Sequence, residues 1–526
     1  MAAFTYDKET KIITSKPDDY VVPEDGIGPS LYEALQKFRG KNIQIEAATG
    51  REDSYDDFIL RSVRTALHLK KMGLNSKTDI ISICSHNHLN TMIPLMAGML
   101  QGIIVAPLDP TMSLADLKHL VEMVEPKVIF VNEDVEELME KASAKVGSKI
   151  VVFGESERNE RFDEFIQPNV LEKDFAPFKV DDINETALIL FSSGTTGLPK
   201  GICLSHKYIL YQAKNFKNIP VTMSFSSLYW GSTVVTGIGF AMTGSCKVLT
   251  VGFDPQAAWI YLNKYKVNFL YCTSTEAIGL YYSKPEDLVP SINVLMLGGT
   301  CITTDYLNKI RNSMPKTKVF FSYGQTEVGV VCNFADPISF GKPQSVGTPL
   351  PGYIYKVVNP DTGEHMGFNE EGELHVKNKA LMSGYYKLDS KDSWDSEGFI
   401  KTGDIVFFDE DFCFFVVDRI KEVFKFRGFH IVPAKLERIL HDHPDVQLAV
   451  IVGIPDDIDG HHPLAVVIPV AGSEIKPEDI AKYVNEQVDD RHQLRAGVKF
   501  VDSMPMTPSG KILRRSLRDM YLNGNL

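Results

Sequence analysis

Short, wholly apolar runs alternate along the first three hundred residues with longer segments whose apolar positions recur every three to four residues. DIISIC (79–84), GIIVAPL (102–108) and KVIFVN (127–132) carry almost no charge and predict buried strands. LADLKHLVEMV (114–124) places leucine and valine on one helical face and predicts a helix between two of them. TALILFSSG (186–194), KVNFLYCT (266–273), NVLMLGG (293–299) and KVFFSYG (318–324) repeat the strand pattern. Strands alternating with helices imply parallel βαβ units, and open sheets of that kind bind ligands just beyond the C-terminal ends of their strands. After about residue 340 the texture changes. GTPLPGYIYKVVNPDTGE, EEGELHVKN and DEDFCFFVVDR read as antiparallel strands joined by Gly- and Asp-containing turns, a β-rich unit over about 340–418. From 419 to 526 a helix (PAKLERILHDH), two strands (QLAVIVGIP, PLAVVIPV), a second helix (PEDIAKYVNEQV) and a last strand (GVKFVD) predict a separate α+β unit behind a short hinge. The expected domains are therefore 1–418 and 419–526.

Two uncharged stretches, Leu89 to Leu108 and Val221 to Cys246, are long enough to raise the question of a membrane span. Pro94, Pro107, Asn90, Thr91 and Gln101 interrupt the first, and Ser, Thr and Gly fill the second. Both are expected as buried helix and strand. The N-terminus is charged at once and has no apolar core of a signal peptide. The chain ends YLNGNL, not the S-K-L peroxisomal address, so the expected location is cytoplasmic.

Net charge is −13 over 526 residues. That excludes a general nucleic-acid binder, which needs a basic surface, and offers nothing to an anionic membrane. Seven scattered cysteines without a C-x-x-C spacing predict reduced thiols. Three close histidine pairs, His86/His88, His441/His443 and His461/His462, lack the partners of a zinc site.

The chemistry is carried by short stretches. FSSGTTGLPKG (191–201) follows an apolar strand and is expected to lead from it into a helix. Its glycines free the backbone, exposed N–H groups and hydroxyls can surround an anion, and Lys200 adds charge. It is not the common phosphate loop, since Pro199 stands where that motif needs glycine. SYGQTEVG (322–329) offers a tyrosine face for a purine, a threonine donor and a hard carboxylate ligand. GGT (298–300) lies just upstream. KTGDI (401–405) puts an aspartate after a tight glycine turn, placed to accept two hydroxyls. DRIKEVFKFRGFHI (418–431) carries Lys425 shortly before Gly428, and PMTPSGKILRR (505–515) carries Lys511 directly after Gly510.

Together, in this order and over nearly the whole length, these stretches resemble the adenylate-forming superfamily of acyl- and aryl-CoA ligases and insect luciferases. The resemblance implies an α/β fold: a large N-terminal domain of parallel-rich αβα sheets with a small β-barrel-like subdomain, and a small mobile α+β C-terminal domain. It implies ATP, Mg²⁺ and either CoA or, in a luciferase, O₂. Ser192, Ser193, Gly194, Thr195, Thr196, Gly197 and Lys200 would grip the phosphates. Gly298, Gly299, Thr300, Ser322, Tyr323 and Gly324 would border the nucleotide, with Asp404 and Arg419 on the ribose. Thr326 and Glu327 would act at the phosphate, Glu327 as the metal ligand. Lys511 would serve adenylation. Lys425, with Gly428 at the CoA, would serve the second step after rotation about the hinge. Tyr229, Trp230, Gly231, Ser232, Gly298 and Val330 would line the acyl pocket. There, Tyr229 to Ser232 replace the His-His-Gly-Phe of beetle luciferases, which argues against the beetle luciferin. The expected partner is a small-molecule carboxylic acid, and the chain is expected as a monomer or weak homodimer. An acyl- or aryl-CoA ligase is the first reading, and a luciferase acting on another luciferin the alternative.

Overall fold

The computed structural model describes residues 4–192, 199–299, 302, 304–333, 341–342, 344–506 and 512–526. It is an α/β protein built on three large sheets and a smaller C-terminal one. In the first sheet the strands Ile104–Leu108, Ile80–Cys84, Val128–Asn132 and Lys149–Phe153 run parallel, as their unbroken apolar runs predict. Thr186–Phe191 joins Ile104–Leu108 in parallel, and Gly201–Ser205 adds to it in the antiparallel sense.

The second sheet holds Lys318–Phe321, Val294–Gly298, Phe269–Thr273, Val221–Ser224, Cys246–Leu249 and Asn42–Glu46 in parallel. The third is antiparallel. Ile354–Val358, Gly372–Lys377, Ile400–Phe408 and Phe414–Arg419 form its centre. The N-terminal strands Phe4–Tyr6 and Ile13–Ser15 extend its edge, a contribution that the pattern after residue 340 does not announce.

The uncharged stretches fold inside. The helix Ile93–Gln101 is buried on every side. A Cβ on its Gly98 would sit 2.5 Å from Cγ2 of Val105, so only glycine lets the helix approach the sheet this closely. The helix Leu114–Val124 starts on Ser113, whose side chain accepts from the Asp116 N–H. One continuous core joins the first sheet to the third and includes the fully buried Tyr208, Tyr211, Tyr353 and Tyr355. The second sheet has its own core around Leu270, Leu295 and Leu297.

Beyond Arg419, the strands Val446–Asp456 and Gly460–Pro469 pair antiparallel over their length. The helices Pro433–His441 and Pro477–Asn485 cover one face around Leu436, Leu440, Ile480 and Val484. This part buries its own apolar clusters.

Candidate active site

The strand Thr186–Phe191 does not lead into a helix. It turns back as a hairpin onto Gly201–Ser205, with Phe191 opposite Gly201. The expected strand-to-helix loop is thus a strand-to-strand loop. The physical reason is that ICLS after Gly201 is a β-prone apolar run, and the helix begins only at His206, where the Ser205 hydroxyl accepts from Tyr208 N–H. The neck of this loop is sealed twice. Ser192 N–H donates to the Lys200 carbonyl at 2.9 Å, and Lys200 N–H donates to Ser192 Oγ at 2.9 Å. Ser193, Gly194, Thr195, Thr196 and Gly197 lie outside the described residues. The Lys200 ammonium sits over the Tyr385 ring, 5.1 Å from its centre.

SYGQTEVG forms a second, smaller hairpin. Gly324–Gln325 pairs with Gly329–Val330, which puts Thr326 and Glu327 at the tip. A Cβ on Gly324 would lie 2.6 Å from the Gly329 carbonyl oxygen, so the strands close only over glycine. Three contacts fix the tip from outside. Tyr208 Oη donates to the Thr326 carbonyl at 2.9 Å, Met382 N–H donates to the Glu327 carbonyl at 2.9 Å, and Tyr385 Oη donates to Glu327 Oε1 at 3.3 Å. Tyr385 therefore touches both Lys200 and Glu327. Burial and the nearby Glu327 charge push its phenol up to about 12, so it stays a donor.

Asp404 stands in Ile400–Phe408 and is 3% exposed. Its Oδ2 accepts from Tyr323 Oη at 2.8 Å and from Gln325 Nε2 at 2.5 Å. Its Oδ1 accepts from Arg419 Nε at 3.1 Å, Arg419 being its partner in strand register. The turn before it uses Gly403 at φ 70°, whose N–H donates to Glu373 Oε1 at 3.0 Å. Burial and the Asp404 charge hold the Tyr323 phenol well above its usual range. A carboxylate oxygen takes more than one donor, so Oδ1, with one donor among the described residues, retains acceptor capacity.

Gly298 ends its strand, Gly299 follows at φ 87°, and Ser322 N–H donates to the Leu297 carbonyl at 2.8 Å. Thr300 lies outside the described residues. Gly231 opens the helix Gly231–Met242, and a Cβ there would be 3.3 Å from Thr326 Oγ1. Tyr229 belongs to the core: it is 2% exposed and stacks on Phe191 at 6.0 Å, with Trp230 edge-on to it at 5.1 Å. Trp230, Ser232 and Val330 keep partial exposure.

Lys200, Glu327, Thr326, Gly231, Tyr323, Asp404 and Arg419 are thus joined through direct contacts or a shared hairpin. Lys425 is not. It is exposed in the hairpin Phe424–Phe426/Phe429–Ile431, which turns through Gly428 at φ 83°. Lys511 lies outside the described residues. At the junction, buried Asp418 accepts from the N–H groups of Arg419 at 2.7 Å and Ala434 at 2.9 Å. Burial pushes its carboxyl up to about 6, against the pull of Arg514. Reading the sequence missed Tyr208, Gln325 and Tyr385. Gln325 lies inside a motif already singled out, whereas the two tyrosines announce nothing locally.

Magnesium is usually held by one or two carboxylates together with substrate phosphates. Glu327, at a hairpin tip linked through Tyr385 to the neck of the loop between Ser192 and Lys200, fits that donor set. Among the described residues the one trio of close carboxylate and imidazole ligands is Asp456, Asp459 and His462, in the C-terminal part. Asp459 is already engaged there by Arg427 at 2.6 Å and His462 at 2.9 Å.

The family model of AMP-binding enzymes matches residues 31–386, and that of their C-terminal domain residues 435–511. The chain belongs to the AMP-binding, adenylate-forming enzymes. This AMP-binding enzyme is 30% identical to a luciferin 4-monooxygenase of Photuris pensylvanica over 98% of both chains. It is 29% identical to a 4-coumarate–CoA ligase of Humulus lupulus over 97% of both. Among solved structures it resembles the luciferase-like enzyme of the nonluminescent mealworm Zophobas morio. That match has 36% identity and a TM-score of 0.73, and covers 77% of this chain and 99% of the other. No helix among the described residues is long and apolar enough to cross a membrane.

Proposed function

We propose that this AMP-binding enzyme couples ATP to a carboxylic acid and passes the acyl group to CoA. The observation that carries the reading is the shared anchoring of three stretches. Asp404 binds Tyr323 and Gln325 of the Thr326–Glu327 hairpin, and Tyr385 links that hairpin to Lys200. Nucleotide and acid would meet among them.

A free carboxylate is a poor acyl donor because oxide would have to leave. In the proposed first step the acid's oxygen attacks the α-phosphorus, the bond to the bridging oxygen breaks, and pyrophosphate departs. The product is an acyl-adenylate with a good leaving group. Asp404 and Arg419 hold the ribose, and Tyr323 borders the base. The loop from Ser192 to Lys200 holds the outer phosphates, and Thr326 donates to the α-phosphate. Glu327 would hold Mg²⁺, which when bound would offset the charge of the phosphates. Lys511 would supply positive charge to both acid and nucleotide. Fixed cations and donors of this kind are worth on the order of 10² to 10³ in rate. In the second step the CoA thiolate attacks the acyl carbon and AMP leaves, with the Lys425 and Gly428 face turned in after rotation about the 418/419 hinge. The similarity to the Photuris luciferin 4-monooxygenase motivates a second reading, in which O₂ consumes the adenylate.

The test is pyrophosphate release on mixing protein, ATP, Mg²⁺ and a panel of carboxylic acids, followed by CoA consumption and photon counting. Acid-dependent release with thioester formation is expected. Light without thioester would favour the second reading. Intact ATP binding without release from any acid would overturn both.

A further inference from the structure

The strand Phe269–Thr273 sits in the middle of the second sheet, and four of its five residues are buried. Tyr271 alone keeps partial exposure. Leu270 and Cys272 point into the core of that sheet. Side chains alternate across a strand, so Phe269 and Tyr271 face the other way. On that face Phe269 packs on Phe240 of the helix Gly231–Met242, ring centres 5.2 Å apart. Two residues on, Tyr271 reaches the first turn of the same helix, where Ser232 stands beside the phenol. The phenol also covers Gly298. A Cβ built on that glycine would lie 2.6 Å from Tyr271 Oη and 3.3 and 3.4 Å from the ring carbons next to it. The ring therefore occupies space that exists only because residue 298 has no side chain.

Ser232 and Gly298 belong to the acyl side of the site in the reading above, and this inference rests on that reading. We propose that Tyr271 is a specificity-determining wall: its phenol ends the acyl cavity between Ser232 and Gly298 and confines the enzyme to compact acids. Short or branched alkanoic acids and single-ring aromatic acids fit in front of such a wall. Long unbranched fatty acids do not.

The experiment is the chain-length profile of pyrophosphate release by the full-length protein, with straight-chain acids from acetate to palmitate and with benzoate. Wild type is expected to lose kcat/KM sharply beyond a short limiting length. Tyr271→Ala and Tyr271→Leu are expected to move that limit outward, raising the ratio of long to short acid at least about tenfold, roughly the worth of two newly buried methylenes. Tyr271→Phe keeps the ring and is expected to keep the wild-type limit. A wild type that handles palmitate as well as short acids overturns the wall, and that result needs no variant. So do truncated variants that still bind ATP and release pyrophosphate with an unshifted profile. No release by wild type from any acid would instead remove the acid-activation reading, and the wall with it.

Discussion

Asp404 gathers three donors from two places in the sequence: Tyr323 and Gln325 of one short stretch, and Arg419. Asp404→Ala would take this acceptor from all three, leaving Gln325 its second bond to the Thr402 carbonyl, and remove the acceptor proposed for the ribose. Hydrogen bonds to a charged group are worth about 1.5–3 kcal/mol, so the KM for ATP is expected to rise roughly 10- to 100-fold, with a smaller rise in Asp404→Asn. Steady-state kinetics at varied ATP checks this. His206 makes a stability prediction instead. It is 2% exposed, and its Nδ1 accepts from Ile27 N–H at 3.3 Å, which requires the neutral ring. Burial lowers its pKa from 6.5 to about 4. The folded value lies below the unfolded one, so this contribution is complete above pH 6.5 and is lost as pH falls towards 4. Between pH 7 and 5 the loss is about 2 kcal/mol. Urea melts at the two pH values should show it, and His206→Gln should shrink it. At this scale the sequence exposed Asp404, Glu327 and Lys200 because their motifs are contiguous. Tyr208, Tyr271 and Tyr385 stayed hidden because their roles arise from contacts between positions far apart in the chain, from Tyr271 with Gly298 to Tyr385 with Lys200. Tyr229, expected at the acyl pocket, is packed between Phe191 and Trp230.

The elements carry a second lesson. Parallel strands buried on both faces were readable as unbroken apolar runs, and the helix Leu114–Val124 matches its pattern from end to end. The loop at 191–201 was misread because an apolar run after glycine reads equally well as the opening of a helix. The N-terminal strands escaped because each is three residues long and pairs with a sheet more than three hundred positions away. The helix His206–Ala213 that follows the loop also buttresses the Thr326–Glu327 hairpin, through the Tyr208 hydroxyl on the Thr326 carbonyl. Tyr208→Phe leaves that carbonyl without this donor. It is expected to cost about 1 kcal/mol in stability, and to lower kcat several-fold while the KM for ATP stays close to wild type. A melt and a kinetic split measure the two effects separately.

At the scale of the whole molecule, the proposed hinge lies where Asp418 ties the end of the third sheet to the first helix of the C-terminal part. Lys435 and Glu371 make a further link across the same junction, at 3.0 Å. If one site serves two steps by rotation, its lysines should separate them. Lys511→Ala is expected to abolish adenylation yet spare thioester formation from supplied acyl-adenylate, and Lys425→Ala to do the reverse. Equal loss of both steps in either variant would argue against two faces. Activation of the acid by ATP underlies all of this, and it is reversible before CoA enters. Exchange of labelled pyrophosphate into ATP without CoA therefore tests it most directly. The account predicts exchange that depends on an added carboxylic acid and disappears in Lys511→Ala. Exchange absent with every acid, in protein that still binds ATP, would contradict it.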